Sequence, residues 1–102
     1  MNKNTAVTIL AFVAPLSMFA SDGAALYKSK CAACHGADGS GQTPMGKSMK
    51  LRDLRSPEVQ KQSDKELSAV TADGKGKMPA YKTKLSEADI NALVAHMRAL
   101  AK

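Results

Sequence analysis

Cys31-Ala32-Ala33-Cys34-His35 is the stretch on which the reading of this chain turns. Two thiols three positions apart project to one side of a helical turn, and an imidazole follows at once. Three chemistries use such a pair: a dithiol redox couple, half of a tetrahedral zinc site, and two thioether bonds to the vinyl groups of a haem. A redox couple of this spacing belongs beside a parallel sheet, and no alternating β-branched run occurs after residue 20. A zinc site needs further nitrogen or sulfur ligands, and beyond the motif only His96 remains. Haem attachment is therefore the preferred reading: Cys31 and Cys34 hold the porphyrin, and His35 reaches the iron from one face.

The flanks of the motif read as helices and irregular loops. A first helix is expected from Asp22 to about Ala33, capped by Ser21 or Asp22, so that the motif ends it. From Gly36 to Gly46 the chain holds four of its seven glycines together with Asp38, Ser40 and Pro44, the composition of an irregular loop. Ser56-Pro57-Glu58 opens a short helical turn. Ser63-x-x-Glu66 reads as a capping box for a helix carrying Leu67 and Val70, which Gly74 stops. A second irregular stretch, Lys75 to Lys84, contains Met78-Pro79. Ser86 caps a last helix whose apolar stripe is Ile90, Leu93, Val94, Met97, Leu100 and Ala101. The expectation is an all-α domain of three to four helices whose loops are long enough to wrap a cofactor.

Composition points the same way. Residues 1–20 have one charge, Lys3, an apolar run from Ala6 to Ala14, and small residues around Ser17-Met18-Phe19-Ala20. They read as a secretory signal peptide cleaved after Ala20, which leaves 21–102 as one domain in the periplasm or otherwise secreted. An uncleaved membrane anchor is the alternative, and Pro15 interrupts the apolar run against it. No membrane span is expected in the mature chain. Cleavage would leave Tyr27 and Tyr81 as the sole aromatic residues, a thin core for which a cofactor would compensate. The formal charge is +6, but the lysines and arginines are not interleaved with aromatics that could stack on bases. Nucleic acid is not an expected partner. Lys47, Lys50, Lys75, Lys77 and Lys82 could instead surround a docking edge for an acidic protein.

The sixth coordination position of the iron decides what such a haem does. The candidates are Met45, Met49, Met78, Met97 and His96. Met97 belongs to the helix stripe and His96 to its shoulder, both places for packing. Met45 and Met49 follow the motif too closely to reach the opposite face with ease. Met78 stands in Gly74-Lys75-Gly76-Lys77-Met78-Pro79, where glycines permit close approach to a flat group and Pro79 stiffens the backbone. It is the preferred ligand.

Taken together, the Cys31–His35 motif with Gly36 after it, the Met78-Pro79-Ala80-Tyr81 loop and the terminal Ala95-His96-Met97-Arg98-Ala99-Leu100 helix resemble class I c-type cytochromes of the short bacterial, monohaem kind. The resemblance implies one covalent haem c with its iron between His35 and Met78. It also implies that the first and last helices cross near Gly23 and Tyr27, and that the Pro44 carbonyl accepts the second ring proton of His35. Where such proteins often carry an aromatic residue in the last helix, this chain has His96.

Two protein ligands leave no open iron position, so the implied role is a soluble one-electron carrier of a respiratory chain, monomeric and without enzymatic activity, exchanging electrons with redox protein partners. Two rivals are a small haem peroxidase or gas sensor with a displaceable sixth ligand, and a dithiol or metal-binding module without haem. No acid and base pair beside Met78 favours the peroxidase.

Overall fold

The computed structural model describes residues 21–102; the expected leader, residues 1–20, lies outside them. Six helices follow one another: α1 Gly23–Lys30, α2 Ala32–His35, α3 Pro44–Met49, α4 Pro57–Gln60, α5 Asp64–Asp73 and α6 Glu87–Leu100. Among the described residues there is no strand, and the one β-type pairing is an isolated bridge between Lys75 and Met78. The all-α expectation holds, with more and shorter helices than expected.

Every helix but α2 starts where a side-chain oxygen takes an orphan amide. Asp22 accepts from Ala25 N at 3.1 Å and opens α1. The expected single helix through Ala33 is jointed at Cys31. Cys31 N still donates to the Tyr27 carbonyl at 2.8 Å, and α2 carries the chain on to His35. The helix α3 is the element the sequence reading missed, because the glycines before it masked a Thr43 cap and Pro44 at the first helical position. Thr43 Oγ1 accepts from Gly46 N at 2.8 Å. At Ser63 half of the expected capping box forms, Ser63 Oγ taking Glu66 N at 3.1 Å. At Ser86 both halves form, with Asp89 as the reciprocal partner at 3.0 and 3.1 Å.

Two contacts fix the long helix α6. Gly23 of α1 lies so close to the Ala92 carbonyl of α6 that no Cβ would fit. One turn on, Tyr27 is buried with its ring centroid 5.0 Å from that of His96. His96 thus fills the place where an aromatic was expected, and the crossing near Gly23 and Tyr27 is as anticipated. On its other side α6 packs against α5 and α4, where Val59, Leu67, Val94 and Met97 form one apolar cluster with Leu54 against it. Each such side chain removed from water contributes about 1.5–3 kcal/mol.

Arg98 ties the end of α6 to the link between α4 and α5. Its guanidinium donates to the carbonyls of Gln60 at 2.7 Å and Gln62 at 2.6 Å, and to Asp64 Oδ1 at 2.9 Å. Arg98→Ala is expected to cost about 2 kcal/mol, since it strands two part-buried carbonyls. Arg98→Lys should recover little, because an ammonium cannot span the fork. Urea midpoints of the two variants check this, and a full rescue by lysine would reduce the contact to simple charge.

Tyr27 also closes the motif from behind, its hydroxyl donating to the Gly36 carbonyl at 2.6 Å. Burial foremost, then Cys31 and Asp38, pushes its phenol up to about 12. The neutral form is thus favoured by folding: its contribution is complete below pH 10 and disappears as pH rises toward 12. In urea titrations the wild type should lose stability steeply above pH 10, and Tyr27→Phe, weaker at neutral pH, should lose less over that interval. Equal slopes would remove Tyr27 as the cause.

Candidate functional site

The jointed helix α1–α2 delivers the three motif residues to one wall. Cys31, at the joint, and Cys34 are both half-buried, with no disulfide between them. Burial first, then Cys34, pushes the Cys31 thiol up to about 11, so it stays protonated at neutral pH. His35 ends α2, where Gly36 turns the chain away at φ 83° and its amide closes the helix on the Ala32 carbonyl at 2.9 Å. Burial holds the His35 imidazole below its usual pKa, and the neutral ring is the form that binds metals.

His35 Nδ1 is buried with no hydrogen-bond partner. The expected Pro44 carbonyl does not take its proton. Pro44 is the first residue of α3, and a carbonyl there points along the helix axis toward the following turn. The neighbourhood is instead tied through Thr43, whose hydroxyl donates to the Cys34 carbonyl at 2.7 Å while accepting from α3. Nothing in the sequence beyond the Thr-Pro pair marked that tie.

Met78 reaches the same cavities as Cys31 and His35 from a separate segment. The segment before it leaves α5 at Gly74, whose φ of 76° and tight approach to the Met78 carbonyl and Ala80 amide admit no side chain. Lys75 and Met78 then exchange backbone hydrogen bonds, Lys75 N to Met78 O at 3.2 Å and Met78 N to Lys75 O at 3.0 Å. The result is a small arm with Met78 at its inner end.

The cavities number two, about 400 and 520 Å³ of space including their open mouths. Cys31, His35 and Met78 line both. The outer one adds Cys34, Met49, Leu51, Pro79 and Tyr81, with Lys30 and Lys77. The inner one is faced by Leu54, Leu67, Val70, Leu93, Val94 and Met97. The apolar slot that His35 and Met78 both line is made of these two cavities, and Lys30 on the wall of the outer one is a residue the sequence reading did not single out. Met45, by contrast, is 54% exposed, with its sulfur 3.3 Å from Cys34 Sγ. Met97 is core, as expected.

The residues present fit a haem. The walls are apolar, two cysteine sulfurs line them, burial keeps the His35 imidazole neutral, and a soft thioether from a separate segment shares the lining. Among the described residues no group of three or more His, Cys, Asp and Glu is placed to hold a metal ion, so the zinc reading gains no further ligands.

Comparison with known proteins agrees. A family model described as "Cytochrome C oxidase, cbb3-type, subunit III" matches residues 19–97. Among solved structures, the "KustC0563 c-type cytochrome" is similar at 34% identity and a TM-score of 0.73, covering 79% of this chain and 99% of that one. A tyrosine-to-phenylalanine mutant of the same protein gives 32% identity and a TM-score of 0.71, over 78% and 98% of the two chains. No curated protein matches.

Proposed function

Because the chain belongs to the c-type cytochromes, electron carriers with covalently bound haem c and its iron, we propose that it is a periplasmic monohaem carrier in which Cys31 and Cys34 form the thioethers and His35 and Met78 are the axial ligands. The observation that carries this reading is that His35 and Met78 line both chambers of one apolar slot from different elements. The haem supplies a one-electron couple at its iron. His35, held neutral by burial, presents a ring nitrogen without a proton to lose. Met78 would supply the second protein ligand, a thioether whose softness favours the ferrous state. Leu54, Leu67, Val70, Leu93 and Val94 keep water from the interior, which also disfavours the more highly charged oxidised state.

The test is an absorption spectrum of the purified protein, oxidised and reduced. A c-type spectrum with the weak near-infrared band of sulfur-ligated ferric haem supports the ligand set. Haem without that band removes Met78, and protein without haem removes the whole assignment. Residues 1–20 are proposed to direct export and to be cut off after Ala20. N-terminal sequencing of the exported protein should begin at Ser21.

Electrons would enter and leave at the mouth between Lys30 and Lys77, through weak docking of an acidic redox partner. Of the other lysines read from the sequence, Lys82 is exposed but 3.5 Å from Asp73, which offsets part of its charge. Transfer rates with an acidic partner are expected to fall as salt is raised from about 10 to about 200 mM, over which the Debye length shrinks from ~30 Å to below 10 Å. A rate that ignores salt would exclude charge-guided docking. The protein is proposed to act as a monomer.

A further inference from the structure

The arm that bears Met78 is rooted at both ends on the same turn of α5. At its start Gly74 N donates to the Val70 carbonyl at 2.8 Å; at its end Tyr81 N is shared between the carbonyls of Thr71 and Ala72, both at 3.1 Å. Between these roots the arm has its internal Lys75–Met78 bridge, and its outer tip, Gly76, has nothing within 4 Å of where a Cβ would be. An arm attached along one edge can swing about that edge. A contact from that edge to the opposite wall fixes the angle at which the arm leaves it.

Tyr81 makes that contact. Its hydroxyl donates to the Lys30 carbonyl at 3.2 Å, across 51 positions of sequence, at the last residue of α1 and next to Cys31. The same residue is fixed from below, since its carbonyl accepts from Lys84 N at 2.9 Å and Leu85 N at 2.8 Å. Its ring lines the outer cavity together with Cys31, Cys34, Lys77 and Met78. Tyr81 is thus a rigid post on the arm side whose tip is fastened to the motif side.

We infer that Tyr81 is a positioning residue whose hydroxyl clasps the Met78 arm to the end of α1 and so sets how often Met78 leaves the slot. This rests on the ligand assignment proposed above. One neutral hydrogen bond is enough to change the open population about fivefold. The backbone roots of the arm do not depend on the hydroxyl, so the fold should survive its loss.

The experiment is Tyr81→Phe in the haem-loaded protein, with three readouts. Exogenous imidazole should bind the ferric protein about fivefold faster and tighter than in wild type. Oxidation of the Met78 thioether to its sulfoxide by a small oxidant such as chloramine-T, read by peptide mass, should quicken by a similar factor, a measurement that does not rely on added ligand binding. The urea midpoint should move little. Unchanged imidazole binding and unchanged Met78 oxidation would overturn the clasp, and a large loss of global stability with proportionate quickening of oxidation at the buried Met97 would make Tyr81 a structural residue only. If the ligand assignment itself is wrong, wild-type ferric protein lacks the near-infrared sulfur band, which separates that failure from failure of the clasp.

Discussion

Met78→Ala is expected to abolish the near-infrared sulfur band and to lower the midpoint potential by on the order of 0.1 V, within the ~0.8 V over which axial ligands set haem potentials. The reasoning begins with the arm. Gly74 and the Lys75–Met78 bridge hold the methionine against the slot that His35 also lines. Alanine keeps that backbone but ends at Cβ, too short to span the space, so one axial position opens to water or an added ligand. Loss of a soft donor weakens preference for the ferrous state, hence the sign. The variant should also bind imidazole without the delay that departure of a methionine imposes in the wild type. Redox titration with spectra at each step checks both effects. An unchanged potential with the band intact would move the ligand to another sulfur, and Met49, on the wall of the outer cavity, would be the one to test next. Met45 is a weaker substitute, since its side chain is mostly exposed on the Cys34 side.

Gly23→Ala should be one of the most damaging one-carbon changes in the protein, costing about 3 kcal/mol or more and lowering the melting temperature by over ~10 °C. The added Cβ would meet the Ala92 carbonyl, a main-chain atom in the second turn of a 14-residue helix that cannot turn aside as a side chain can. To admit it, α1 must move away from α6, and Tyr27 then loses its contact with His96 and its hold on the Gly36 carbonyl. The damage would thus reach the motif without touching it. Gly76→Ala is the control: φ is 57° there, so alanine carries the left-handed penalty of about 1–2 kcal/mol, but it meets nothing. Thermal melts of the two variants side by side decide the matter. Equal losses would mean that the α1–α6 crossing is more yielding than its geometry implies.

Part of this protein is written in short stretches of sequence. The Cys31–His35 pentapeptide names its own chemistry, because thioether attachment and axial ligation require those residue types at that spacing. The 3.6-residue stripe of α6 and the caps at Ser63 and Ser86 were equally legible, since capping is a contact between residues three apart. Met78 was preferred as a ligand by elimination, and the structure adds its place on the lining of both cavities. Where local signals overlapped, the reading failed: α3 was hidden inside a stretch whose glycines spoke for a loop, and the helix at the motif proved to be jointed at Cys31.

What the tertiary structure alone decided are the contacts between residues far apart in the chain. That Gly23 must be glycine depends on a carbonyl 69 positions away, and that His96 serves as an aromatic depends on Tyr27. That Pro44 does not serve the His35 ring follows from where α3 starts. That Lys30 stands at the mouth, and that Tyr81 reaches its carbonyl, follows from how α1 and the Met78 arm meet. Spacing encodes what one turn of chain can do with its own atoms. Which surfaces then meet is set by packing of the whole, where each contact depends on all the others being made.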